Sequence, residues 1–216
     1  MNNNQGMAAQ LGNPADILQP PLISALCVKE FKMSDVNEEI AREYFEDNGF
    51  LVRMNLKYYI NRNNGGPGGL SDIDLLVVNL KPTDLGSLPF ILTTHDLKGI
   101  SKAAIEVKGW HTERITPRTN NFDRLLYVAR NEAVEAASKF FGTLDFKKIL
   151  IVSSLAISQS AKEATIEKLR SAGIDHIIEF KTVIDSLYES VETQKSPSSE
   201  ILQTIRLIKI YRDQNT

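Results

Sequence analysis

The chain has 216 residues, of which 42% are hydrophobic and 24% charged, with a formal net charge of −2. That is enough for one domain with a sizeable core and too little for two ordinary ones, and no apolar run approaches the roughly 20 residues of a membrane span. A charge near zero leaves any nucleic-acid binding to a local basic patch, and the single Cys27 excludes an internal disulfide and fits a reducing cytoplasm.

Residues 1–33 open with an Asn/Gln-rich stretch that has neither a basic start nor an apolar core, so it reads as a flexible tail rather than a secretory signal. A short apolar run from Leu22 to Val28 forms a lead-in element. A helix is expected from Ser34 or Asp35, either of which can cap it, to the Asn48-Gly49 stop, with Val36, Ile40, Ala41, Tyr44 and Phe45 on its apolar face. Large and β-branched residues over 50–61 predict a strand, closed by a glycine-rich turn at 63–69. That turn lacks a lysine followed by serine or threonine, which argues against a phosphate loop of the P-loop type.

A second strand is expected over 73–80. The long connection after it carries a short strand at 90–93, and a third strand covers 102–108. One helix is predicted over 121–141, from Phe122, Leu125, Leu126, Ala129, Ala133, Ala136, Ala137 and Phe140. A continuous apolar run, Ile149-Leu150-Ile151-Val152, predicts a strand covered on both faces. A helix over 158–172 and a strand over 176–180 follow. The order is that of an α/β protein with a mixed sheet: a core over 34–181, then two amphipathic helices within 182–216 that either close the core or make a dimer contact.

Chemistry concentrates in Ile105-Glu106-Val107-Lys108-Gly109. Side chains alternate along a strand, so Glu106 and Lys108 share one face and Ile105 and Val107 the other. An acid-x-lysine spacing alone carries little weight, because Glu30/Lys32, Asp96/Lys98, Asp145/Lys147 and Glu179/Lys181 repeat it. Context separates them: only Glu106/Lys108 follows an apolar strand led by an aspartate, Ser71-Asp72-Ile73-Asp74-Leu75-Leu76. Glu179/Lys181, at the end of an apolar strand, is the nearest competitor. Two carboxylates beside a lysine suit a divalent cation and a phosphate, with Mg²⁺ as the expected ion and Mn²⁺ as its substitute. The plain alternative is a solvated ion pair on an exposed sheet face.

These residues resemble the PD-(D/E)xK nuclease superfamily, which includes Holliday junction resolvases and restriction endonucleases; the resemblance runs over about 35–180, although no proline precedes Asp74. It implies a restriction endonuclease-like three-layer α/β/α sandwich and a Mg²⁺-dependent nuclease hydrolysing phosphodiester bonds, with DNA as substrate. It implies Asp74, Glu106 and the backbone carbonyl of Val107 as metal ligands and Lys108 as the group that orients water or stabilises developing charge. The superfamily also places an acid on the first helix. Here Glu38 lies nearer the apolar face than Glu39, although Asp35 and Glu38 also fit a helix capping box.

Between Lys98 and Arg130 seven basic residues face three acidic ones. Lys102, Arg114, Arg118 and Arg124 are therefore candidates for phosphate contacts. Trp110 is placed to stack on a base or to cap the core, and His111 to touch phosphate or to serve structurally. A homodimer is in keeping with enzymes of this kind that cut two strands. The other reading is a catalytically inactive module of the same fold that binds nucleic acid or protein.

Overall fold

The computed structural model describes residues 36–60, 68–109, 114–191 and 199–213. The tail at 1–33 with Cys27, most of the glycine-rich turn, Trp110, His111 and the Ser196-Pro197 linker lie outside the described residues. Helix α1 (Val36–Asp47) stops where Asn48-Gly49 predicts, with Gly49 at φ +84°, a conformation that suits a residue without a Cβ. Ala41, Tyr44 and Phe45 are fully buried, but Val36, expected on the same face, is 66% exposed. The apolar packing of the helix thus begins in its second turn.

Strands β1 (Phe50–Ile60) and β2 (Gly69–Asn79) pair antiparallel. β2 begins four residues before the apolar alternation does, because Gly69 to Asp72 are held extended by their β1 partners. β3 (Lys102–Lys108) pairs antiparallel with β2 and parallel with β4 (Lys147–Val152), which pairs parallel with β5 (His176–Glu179). The result is a five-stranded mixed sheet in the order β1-β2-β3-β4-β5. In place of the strand expected at 90–93, a single bridge joins Ile91 to Ile177 beside β5.

The helix expected over 121–141 is two elements, a 3-10 segment (Phe122–Ala129) and α2 (Asn131–Phe141), broken at Arg130, whose backbone is extended. The spacing of buried residues explains the break. Phe122, Leu125 and Val128 recur every third residue and suit the three-residue turn of a 3-10 helix, whereas Ala133 and Ala137 are four apart and suit an α-helix. Helices α3 (Gln159–Ser171), α4 (Phe180–Ser190) and α5 (Glu200–Asp213) complete the chain.

Each face of the sheet carries a core. One joins α1, α4 and α5 to Leu75, Val77, Ile105, Ile149 and Ile151; the other joins α2, α3 and the 3-10 segment to Ile73, Leu76, Leu150 and Val152. The continuous run at β4 is buried on both faces, as its composition predicts. The boundary expected at 181/182 does not separate two parts. α4 starts at Phe180, and Val183, Leu187, Val191 and Leu202 belong to the first core, so the C-terminal helices close it.

The β1–β2 ribbon changes faces midway. Phe50 and Val52 belong with the first core, whereas Leu56, Tyr58 and Ile60, of the same strand parity, belong with the second. Across the ribbon Ile73 serves the second core and Leu75 the first. The switch falls at Asn55, which has φ +55° and would stand opposite Asp74; that pair is absent from a ladder otherwise in register on both sides.

Candidate metal centre

β3 is lined with small and apolar side chains, so it runs through the middle of the sheet and carries its charges inward. Glu106 is only 2% exposed and Asp74 5%. Buried carboxylates require partners. The sheet supplies them by forking. The last β2–β3 pair is Leu75 with Ile105; beyond it β2 continues against β1, and β3 continues against β4 as far as Lys108 opposite Val152. In the gap the Val107 N–H, which no β2 carbonyl serves, donates to Asp74 Oδ2 at 2.7 Å. The fork opens between β3 and its antiparallel neighbour β2 at the carboxyl end of β3, while the parallel neighbour β4 stays paired along the other edge.

One cation stands in the fork. Lys108 Nζ lies 2.5 Å from Glu106 Oε1 and 3.6 Å from Asp74 Oδ2, and it donates to the Val107 carbonyl at 3.3 Å. Three oxygens from two strands therefore converge on a single positive charge. Glu106 Oε2 is buried and accepts no hydrogen bond. Burial, reinforced by the negative charge of Asp74, pushes the Glu106 carboxyl up to about 8 against the pull of Lys108. Burial also raises Asp74, opposed by Lys108 and by the Val107 N–H. Burial draws the Lys108 ammonium down, but the two carboxylates outweigh it and leave its pKa raised.

The structure brings Asp74, Glu106, Val107 and Lys108 together and leaves others apart. Among the described residues no three acidic, histidine or cysteine side chains converge as a metal cluster, so Glu38 does not join Asp74 and Glu106 as a third acidic ligand. Glu38 is half-buried on the first turn of α1. That turn does approach β3: the buried Asn37 carboxamide lies so close to Gly109 that a Cβ there would meet it at 2.5 Å. Sequence reasoning missed Asn37, and nothing in the pattern of α1 signals it. It also passed over Asn55, although an asparagine inside a run of strand formers is a visible anomaly.

Lys102 pairs with Val78 at the opposite end of β3, about 13 Å of strand from Glu106 at ~3.3 Å per residue. Arg114, Arg118 and Arg124 are exposed. Arg114 precedes Ile115, which bridges to Leu155 just past the end of β4, at the same end of the sheet as Lys108. Trp110 and His111 lie outside the described residues. No helix is long and apolar enough to cross a membrane among the described residues. Comparison of the chain with known protein families, with curated proteins and with solved structures finds no match.

Proposed function

We propose that the chain is a metal-dependent nuclease hydrolysing phosphodiester bonds, acting on DNA, with the restriction endonuclease-like sandwich that the PD-(D/E)xK resemblance implies. The observation that carries this reading is the convergence of Asp74 Oδ2, Glu106 Oε1 and the Val107 carbonyl on one cation in the sheet fork. The donor set is all oxygen, as hard divalent cations prefer, and the buried Glu106 Oε2 is an acceptor still to be satisfied. Mg²⁺, or Mn²⁺, fits these residues; when bound it would neutralise phosphoryl oxygens and lower the pKa of a water near neutrality.

The chain's own groups have distinct tasks in this scheme. Asp74 and Glu106 would hold the metal ion, and the Val107 N–H fixes the Asp74 carboxylate while its carbonyl faces the same point. Lys108, on the same strand face as Glu106, places positive charge beside the reacting phosphate and stabilises negative charge as it develops. Arg114, Arg118 and Arg124 present exposed charge to the phosphate backbone without reading sequence. Glu38, on the turn that packs at the end of β3, is the acid nearest in sequence to that contact. A second reading, a catalytically inactive nuclease-fold module that binds nucleic acid or protein, is favoured by the near-neutral net charge of −2.

Purified protein with Mg²⁺ or Mn²⁺ on linear, circular, single-stranded and branched DNA, beside Asp74→Ala and Lys108→Ala, separates the two readings. Metal-dependent cleavage lost in both variants is expected. Cleavage that survives both substitutions rules out this centre, and DNA binding with neither cleavage nor metal uptake leaves the module.

A further inference from the structure

Side chains of a regular strand stand perpendicular to the sheet. Asp74 does not: its carboxylate accepts a backbone N–H from the neighbouring strand, which places it in the plane of the sheet, within the fork. The irregularity that permits this lies across the ribbon. Asn55 would oppose Asp74, has φ +55°, and is the point at which β1 passes from one core to the other; Ile73 and Leu75 on either side of Asp74 make the same exchange. A left-handed residue inside a strand turns the chain over, and asparagine is one of the few residues with a side chain that adopt that conformation readily.

We propose that Asn55 is a positioning residue for Asp74: its left-handed backbone turns the β1–β2 ribbon at this point and swings the Asp74 carboxylate into the gap where it meets Val107 and Lys108. The ribbon on both sides stays in register, so the turn is confined to one opposed pair rather than spread along the strands. β1 therefore contributes to the centre through the backbone of the residue opposite Asp74. The link to metal binding rests on the reading given above, but the placement of Asp74 does not.

The test uses the full chain with Asn55→Gly, which keeps the left-handed conformation at no steric cost, and Asn55→Ala and Asn55→Val, which oppose it with increasing force. Amide hydrogen exchange at Val107 in metal-free protein reports the bond to Asp74, and the β3–β4 ladder amides serve as the internal reference. Asn55→Gly is expected to keep Val107 protection. Asn55→Ala, and Asn55→Val where it folds, are expected to lose it by tenfold or more relative to the reference and to weaken Mg²⁺ binding by calorimetry by a similar factor. Unchanged Val107 protection in folded Asn55→Ala, or its loss in Asn55→Gly, overturns the proposal. Wild-type protein that takes up no Mg²⁺, while Val107 protection follows the expected order, supports the positioning role and overturns the metal reading instead.

Discussion

Two strands of this sheet end in the same spacing of charges, and only one of them builds a centre. β3 remains a strand through Lys108, so Glu106 and Lys108 stay on one face and Lys108 Nζ lies 2.5 Å from Glu106 Oε1. β5 stops at Glu179 and the chain becomes α4 at Phe180, which parts the acid from the lysine. Glu179 Oε1 accepts the Leu155 N–H at 2.9 Å, and Lys181 pairs with Asp185 one turn along the exposed face of α4. The neighbours differ as well: β3 has Asp74 reaching in from β2, while on the side of β5 away from β4 the Ile91 bridge supplies no acid. Spacing alone has no chemical consequence. The strand must persist, and its neighbour must part from it.

The sharpest way to break that comparison is catalytic. Lys108→Ala is expected to lower metal-dependent DNA cleavage by about 10² to 10³-fold, the usual loss when one group stabilising developing charge is removed. Lys181→Ala should leave the rate unchanged in the same gel assay. Equal effects would mean that the two copies do the same work.

A thermodynamic version follows. Without Lys108, Asp74 and Glu106 are buried together with no cation, so Lys108→Ala is expected to lose about 2–3 kcal/mol in urea unfolding of the metal-free protein. Lys181→Ala removes only an exposed pair and should stay within about 0.5 kcal/mol.

Gly109→Ala probes the end of β3 from the other side. Its Cβ would sit 2.5–2.8 Å from the Asn37 carboxamide, so the buried Asn37 side chain must move. A cost of about 1–2 kcal/mol is expected, read by thermal unfolding.

The last effect is read as a slope with pH. Native Glu106 keeps its proton up to about 8, whereas the unfolded chain gives it up near the ordinary value of 4.5. Between these limits the native state binds more protons, so stability of the metal-free protein falls as pH rises, by at most about 1.4 kcal/mol per pH unit for one proton. Asp74, also raised by burial, acts in the same direction; the raised Lys108 changes stability only in strongly alkaline solution. Glu106→Gln should flatten the slope, and urea midpoints measured between pH 5 and 8.5 would reveal a slope that survives it. Carboxylates that cost stability near neutral pH are what a fold retains for a ligand rather than for itself.

The alternation of Ile105, Glu106, Val107 and Lys108, the both-faces burial of β4 and the stop at Asn48-Gly49 are local properties. They follow from the period of a strand, from composition and from the conformational freedom of glycine, and the sequence determined them unaided. Whether Glu179 and Lys181 would share a face depended on where β5 yields to α4. Whether Asp74 would reach Val107 depended on the fork between strands and on the turned ribbon at Asn55, which joins residues 33 positions apart. Likewise the break at Arg130 and the contact of Asn37 with Gly109 are set by what each segment packs against. One-dimensional periodicity states which face a side chain shares. Only the pairing of strands decides what stands opposite it, because that partner comes from another part of the chain.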